Sequence, residues 1–309
     1  MKNTTWPKDF IIRPPRPDEA EDVTALICAC DIADTGEPDW TVDETRADWA
    51  RLGFDLARDA RVVIAPDGRL VAYAEAFVRP NAVEIAANSC IHPDFRPLGL
   101  DEALIELAES LAAQHAPLPV RWVIDAERGR SLAARGYEPV RWLWRMRGEF
   151  NGPPQAPVWP EGFSVRNMDP EDERATHALI DAAFARPDRS PVSFEEWRRF
   201  MIERDDFDRS LAFLAVRGDE IVGVAMCLMY AEVDEGWVRQ LAVDERFRHL
   251  GLGSALLLHA FGEFYRRGAR RSGLGVDANN PSATKLYLGV GMRSLGEYVQ
   301  YQRAAAPGG

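Results

Sequence analysis

The sequence predicts an α/β (α+β) fold laid down twice in tandem, each copy a sheet layered with helices. Three observations carry this. The chain has 309 residues, more than one domain of roughly 100 to 200 residues usually holds, and a 46% hydrophobic content supplies core for two. Strand and helix patterns follow one another in mixed order. The chain also resembles itself: Phe10-Ile-Ile-Arg13 followed by Pro17-Asp18-Glu19 recurs as Phe163-Ser-Val-Arg166 followed by Pro170-Glu171-Asp172, at an offset of 153. Asp94-Phe-Arg96-x-x-Gly99 recurs as Arg246-Phe-Arg248-x-x-Gly251 at 152, and Arg135-Gly136-Tyr137 as Val290-Gly291-Met292 at 155. Ordered matches at nearly constant offset mark a duplication.

Each half opens on a short strand (residues 11–13 and 164–166) that leads into a capped helix, 18–29 and 169–184. Pro170 stands near the first turn, where its missing N–H costs nothing. A second helical stretch follows at 41–52 and 193–202. Two strands around a turn come next: 62–65 with 69–77 across Pro66-Asp67-Gly68, and 213–216 with 221–230 across Gly218-Asp219. In the second half a strand over 237–243 meets a glycine turn and a helix over 254–267, whose Leu256, Leu257, Ala260, Phe261 and Phe264 share one face. A last strand, helix and strand close each half. The segment Asn151 to Pro160 carries four prolines, which fix the backbone dihedral and remove donors. Domains are therefore expected at 1–150 and 163–309, joined by a linker over 151–162, with a disordered tail from Ala304 to Gly309.

A net charge of −12, from 37 Lys+Arg against 49 Asp+Glu, repels nucleic acid and anionic membranes, so neither is an expected partner. The longest apolar run, Ile221 to Ala231, falls far short of the roughly 20 residues of a membrane-spanning helix, and Met1 to Asp9 has no apolar signal region. A soluble, cytoplasmic protein, monomer or homodimer, is expected. Three lysines beside 34 arginines point to a GC-rich bacterial genome. Cys28, Cys30, Cys90 and Cys227 lack both a disulfide framework and zinc spacing and read as reduced, mostly buried thiols. The histidines (His92, His115, His177, His249, His259) show no metal spacing, so no metal is expected.

The segment Leu241 to Leu257 carries the sharpest chemistry. A strand delivers the backbone into a turn where Gly251 and Gly253 allow close approach, and the following helix presents unpaired N–H groups. The start of a helix carries about half a positive charge and binds a diphosphate without a lysine cluster. Roughly thirty residues on, Asn280-Pro-Ser-Ala283-Thr-Lys-Leu286-Tyr287 sets Ala283 and Tyr287 on one helical face behind a capping Asn.

This pair of motifs resembles the GNAT acetyltransferase superfamily, whose cofactor motif reads Arg/Gln-x-x-Gly-x-Gly/Ala and whose later helix reads Asn-x-x-Ala-x-x-Leu-Tyr-x-x-x-Gly-Phe. The match covers the second half, with Met292 at the usual Phe. The resemblance implies two tandem GNAT-type domains, each a mixed, mostly antiparallel central sheet flanked by helices, and acetyl-CoA as co-substrate. It further implies that backbone groups of Leu241, Ala242 and Val243 pair with the pantetheine arm, and that the amides of Arg248, His249, Leu250, Gly251, Leu252, Gly253 and Ser254 hold the diphosphate. Asn280 would contact pantetheine or nearby backbone, and Tyr287 would meet the thioester sulfur and stabilise or protonate the leaving thiolate. The implied reaction is acetyl transfer to a primary amine of a small molecule or peptide.

Where many relatives keep a carboxylate as general base, this chain has Trp237; Glu232, Asp234 and Glu235 stand nearby as candidates acting through water, and loss of the amine proton to solvent is the other route. Acids over 184–210 (Glu195, Glu196, Glu203, Asp205, Asp206, Asp208) tilt the acceptor toward a cationic amine. Tandem halves with only the second motif intact are also similar to the mycothiol synthase family, which acetylates a cysteinyl amine on a pseudodisaccharide. An acyl-CoA sensor without turnover is the alternative of a different class, and the intact Tyr287 speaks against it.

In the first half the equivalent turn departs from the motif. Pro97 removes an N–H, Asp101 replaces the second glycine, and Leu132 stands where Tyr287 does, counted from Gly136 and Gly291. A lost charged hydrogen bond (about 1.5–3 kcal/mol) and a like charge at close range weaken diphosphate binding tenfold to several thousandfold. One acetyl-CoA per chain, in the second half, is expected.

Overall fold

The computed structural model describes residues 6–36, 38, 40–78, 84–115, 117–125, 128–185 and 191–304. In chain order the strands of the first part are β1 (Ile11–Arg13), β2 (Ala60–Ile64), β3 (Leu70–Phe77), β4 (Ile85–Ile91), β5 (Val120–Asp125) and β6 (Glu138–Glu149). Those of the second are β7 (Ser164–Asn167), β8 (Ala212–Arg217), β9 (Glu220–Tyr230), β10 (Glu235–Val243), β11 (Arg271–Asp277) and β12 (Arg293–Arg303). The helices are α1 (Ala20–Thr35), α2 (Val42–Trp49), α3 (Leu56–Asp59), α4 (Asp101–Ala112) and α5 (Gly129–Ala134), then α6 (Glu173–Ala183), α7 (Phe194–Met201), α8 (Leu252–Arg266) and α9 (Pro281–Gly289).

Two compact units result. One is Met1–Trp142 with Tyr298–Gly309; the other is Leu143–Glu297. The division thus differs from the expected 1–150 and 163–309, and the proline-rich segment lies inside the second unit. The reason is pairing at the sheet edges. The end of β12 (residues 298–303) pairs antiparallel with β5 and completes the first unit's sheet. The end of β6 (residues 143–149) pairs antiparallel with β11 and completes the second's. An edge strand leaves a row of unpaired backbone groups, and each unit covers one by taking a strand from the far end of the other's chain segment.

Within the second unit β7 with β8, β8 with β9, β9 with β10 and β11 with β6 pair antiparallel, and β10 with β11 parallel. The α8 helix lies on one face, over a core that includes Val222, Val238, Leu256, Phe264, Leu274 and Tyr287. On the other face α6 and α7 pack Ile180, Trp197 and Met201 against Leu214, Val224 and Met226. Gly236 is what lets α8 approach: a Cβ there would stand 2.1 Å from Phe264 Cγ. The first unit repeats the layering, with α4 over Ala72, Ala74 and Trp122 and with α1 over Val62 and Tyr73. On that second face Glu75 is buried beside Tyr73, whose hydroxyl donates to Glu75 Oε2 at 2.7 Å and itself accepts from Trp49 Nε1 at 3.0 Å. Burial, reinforced by the charge of Asp48, pushes the Glu75 carboxyl up to about 7.

Gly236→Ala is expected to lower unfolding free energy by about 1–3 kcal/mol through overpacking. Gly262→Ala, mid-helix in α8 with open space at its Cβ, is expected to raise it by about 0.5–1 kcal/mol; urea unfolding compares the two. The folded protein holds the Glu75 proton up to about pH 7, whereas an ordinary glutamate releases it near 4.5. This group's contribution to stability is therefore full below 4.5 and lost as pH rises through about 7. Glu75→Gln should gain stability relative to wild type between pH 5 and pH 8, read from urea midpoints at both.

Candidate acyl-CoA site

The parallel β10–β11 ladder is short. It pairs Glu235, Gly236 and Trp237 with Arg271, Ser272 and Gly273 and then stops, although both strands continue. Beyond that point β10 keeps its pairing with β9 as far as Val243, and β11 keeps its pairing with β6 as far as Asp277. Residues 238–243 therefore face β11 with a bare backbone edge, able to pair with an extended, amide-bearing ligand. Leu241, Ala242 and Val243 lie on this edge. A bulge between Val238 and Gln240 re-aims the strand at Arg239. The carbonyl of Val243 already accepts from Arg248 Nε at 3.2 Å, so the open run ends there.

The edge runs straight into a cup. After a single 3-10 turn (Glu245–Phe247), His249 and Gly251 take positive φ of 66° and 93°, and α8 begins at Leu252 with no side chain capping it. Among the described residues, none of the backbone hydrogen bonds at this turn is donated by His249, Leu250, Gly251, Leu252, Gly253 or Ser254. Alternation of left- and right-handed residues curls such amides into a nest that binds anions, and the helix dipole adds to it. Gly251 sits where an L side chain would be strained; Gly253 sits where a Cβ would press on Leu286 Cδ2 at 3.1 Å, so it lets α9 dock on the cup. The ring of His249 is exposed and only its backbone belongs to the cup.

Tyr287 in α9 shares the apolar cluster of Leu252, Leu274 and Val276, and its hydroxyl bonds to no described residue. Burial pushes its phenol up to about 12, which keeps it protonated at neutral pH. Asn280 is the N-cap of α9: its Oδ1 accepts from Ala283 N at 3.0 Å, which commits the oxygen to the helix and leaves the amide nitrogen.

The acidic candidates separate. The side chain of Glu232 lies outside the described residues. Asp234 is exposed at a left-handed turn. Glu235 is not in an exposed hairpin, as its sequence context suggests, but 1% exposed, with Oε2 3.3 Å from Arg147 and 3.5 Å from Arg145. The Arg145 guanidinium also stacks over Trp237 at 4.8 Å. These arginines alternate on β6 around Met146, a period-two signal that places both on the face opposite α8 and that was visible in the sequence. Three of the six acids over 193–210 are engaged: Glu203 with Arg198, Asp206 with Arg204, and Asp208 with Ser210 and Arg267. Local ion pairing accounts for that half of the acidic run.

The first unit has the same short ladder, Ile85, Ala86 and Ala87 against Val120, Arg121 and Trp122, but not the same opening. Its 3-10 turn extends over Pro93–Leu98 and spends the Gly99 amide on the Arg96 carbonyl at 2.9 Å. Arg128, the N-cap of α5 and 152 residues before Asn280, reaches into the bare edge: its Nη2 donates to the Ser89 carbonyl at 2.9 Å, and its Nε lies 3.9 Å from Asp101. Leu132 is fully buried. The sequence offset that pairs Arg128 with Asn280 was the signal for this plug.

The model of the Acetyltransferase (GNAT) family matches residues 173–292, all within the second unit. The chain belongs to this family, and it is an N-acetyltransferase. It is 31% identical over 294 residues to the mycothiol acetyltransferase of Actinosynnema mirum, covering 92% of this chain and 96% of that one. Among solved structures it is similar to a GCN5-related N-acetyltransferase from Sphaerobacter thermophilus, 36% identical, with a TM-score of 0.80 and 98% of each chain covered. A tandem GNAT protein from the clavulanic acid biosynthesis pathway shares the fold at 15% identity, with a TM-score of 0.74 over 97% of this chain and all of that one. Among the described residues no helix is long and apolar enough to cross a membrane.

Proposed function

We propose that the second unit transfers the acetyl group of acetyl-CoA to a primary amine of a small molecule or peptide, and that the first unit binds no acetyl-CoA. One observation carries this reading: the bare edge of β10 is followed, after a single 3-10 turn, by six undonated amides at 249–254, a backbone surface shaped for pantetheine and then diphosphate. Leu241 and Ala242 pair with the arm, and His249 to Ser254 hold the phosphates. Tyr287 donates a hydrogen bond to the departing sulfur. Full proton transfer from a phenol near 12 to a thiolate near 8.5 would cost about 5 kcal/mol, so its role is to stabilise the thiolate rather than to protonate it outright. With Glu235 committed to Arg145 and Arg147, the amine gives its proton to water before attack.

A second reading is favoured by relatives such as that of Actinosynnema mirum, named as mycothiol acetyltransferases and matched over most of their length. The acceptor is then a cysteinyl amine on a pseudodisaccharide. Thiol release from acetyl-CoA, measured against that amine, an aminoglycoside and a peptide amine, separates the two.

Tyr287→Phe is expected to lower kcat roughly ten- to a hundredfold, the worth of a charged hydrogen bond, with the acetyl-CoA Kd unchanged; undiminished turnover would remove Tyr287 from the reaction. Calorimetry is expected to give one acetyl-CoA per chain. Gly253→Asp, which copies the first unit's Asp101, should weaken that binding at least tenfold more than Gly253→Asn, since both crowd Leu286 and only one adds charge.

A further inference from the structure

Two thiols of the first unit lie together, outside everything assigned above. Cys30, on α1, and Cys90, on β4, belong to one apolar cluster between helix and sheet, where the Cys30 sulfur rests on the strand at the residue next to Cys90. Cys30 Sγ also lies 3.1 Å from the Ile91 carbonyl. Two cations flank the pair. The Arg96 guanidinium, held by Asp34, adds its charge near Cys30, and Arg128, held at the carbonyl of Ser89 next to Cys90, adds its charge beside both thiols. Asp31 is the acid that faces Cys90. The neighbouring Cys90 thiol and the two guanidinia bring the Cys30 thiol below its ordinary range. The other cysteines have no such setting: Cys28 points to the Trp40 carbonyl at 3.1 Å, and Cys227 is buried in the second unit's core, and burial pushes both thiols up.

We propose that Cys30 and Cys90 form a dithiol oxidation site, which a peroxide converts to an intramolecular disulfide tying α1 to β4. The Cys30 thiolate attacks one peroxide oxygen and breaks the O–O bond, giving a sulfenic acid at Cys30 and, for hydrogen peroxide, one water once the thiol's proton is counted. The Cys90 sulfur then attacks the sulfenic sulfur and forms the S–S bond; the displaced hydroxide leaves with the Cys90 proton as a second water. Two thiols lose two electrons, and the peroxide gains them. Half-buried Cys90 gives the oxidant its way in, and buried Cys30 is the thiolate it meets.

The test treats the reduced full-length protein with equimolar hydrogen peroxide, then alkylates it under denaturing conditions. Free thiols should fall from four to two per chain, peptide mapping should find one species joining the Cys30 and Cys90 peptides two hydrogens lighter, and dithiothreitol should restore all four. Cys90→Ser should accumulate a sulfenic acid at Cys30, trapped by a 1,3-dicarbonyl reagent, whereas Cys30→Ser should consume peroxide at least tenfold more slowly than wild type. Four persisting thiols in the wild-type protein, a linkage through Cys28 or Cys227, or undiminished consumption by Cys30→Ser would each overturn the proposal; the wild-type map decides even where a variant fails to fold.

Discussion

Backbone N–H and C=O groups must find partners, and the second unit has a place where they do not. The β10–β11 ladder ends after Trp237 and Gly273, while each strand stays fixed to its other neighbour. Strands held apart on their outer sides cannot close the gap between them. The remaining edge of β10 and the amides at the start of α8 are thus left for something that arrives from outside. The surroundings serve this opening. Gly236 brings α8 close beneath the sheet, Gly253 seats α9 on the cup, and α9 in turn carries Tyr287 into the apolar cluster next to it.

The first unit shows what happens when the same opening is satisfied internally. Arg128 bonds the strand edge, Asp101 stands at the helix start with that arginine nearby, and the longer 3-10 turn folds its own amides inward. Nothing in its sheet order is lost, since the parallel ladder is as short as its counterpart. The duplicated scaffold is kept and its vacancy is filled by side chains. The cup proposed for a diphosphate is built of main-chain dipoles rather than lysines, which suits an acidic protein.

Much of this was legible in the sequence. The glycines at 251 and 253, Asn280 and Tyr287 were readable because local turn and cap chemistry demands particular residue types, and α7 and β9 fell within a residue of their expected bounds because amphipathic periods are local properties. What escaped depended on contacts between residues far apart in the chain. No period in β6 or β12 tells which strand will pair with its end. The hairpin acid Glu235 looked solvated because its burial is caused by arginines about ninety residues away. The unit boundaries moved for the same reason: proline content marks where the chain is stiff, not where pairing changes hands.

The strands traded between the two segments set an order on synthesis. A ribosome releases the beginning of a chain first, and most tandem proteins can fold their leading domain while the rest is still being made. Here the leading unit needs residues 298–303, so its sheet stays one strand short until the whole of the other unit has been made. The trailing unit draws its own outer strand from residues already emerged, and is in a position to finish first.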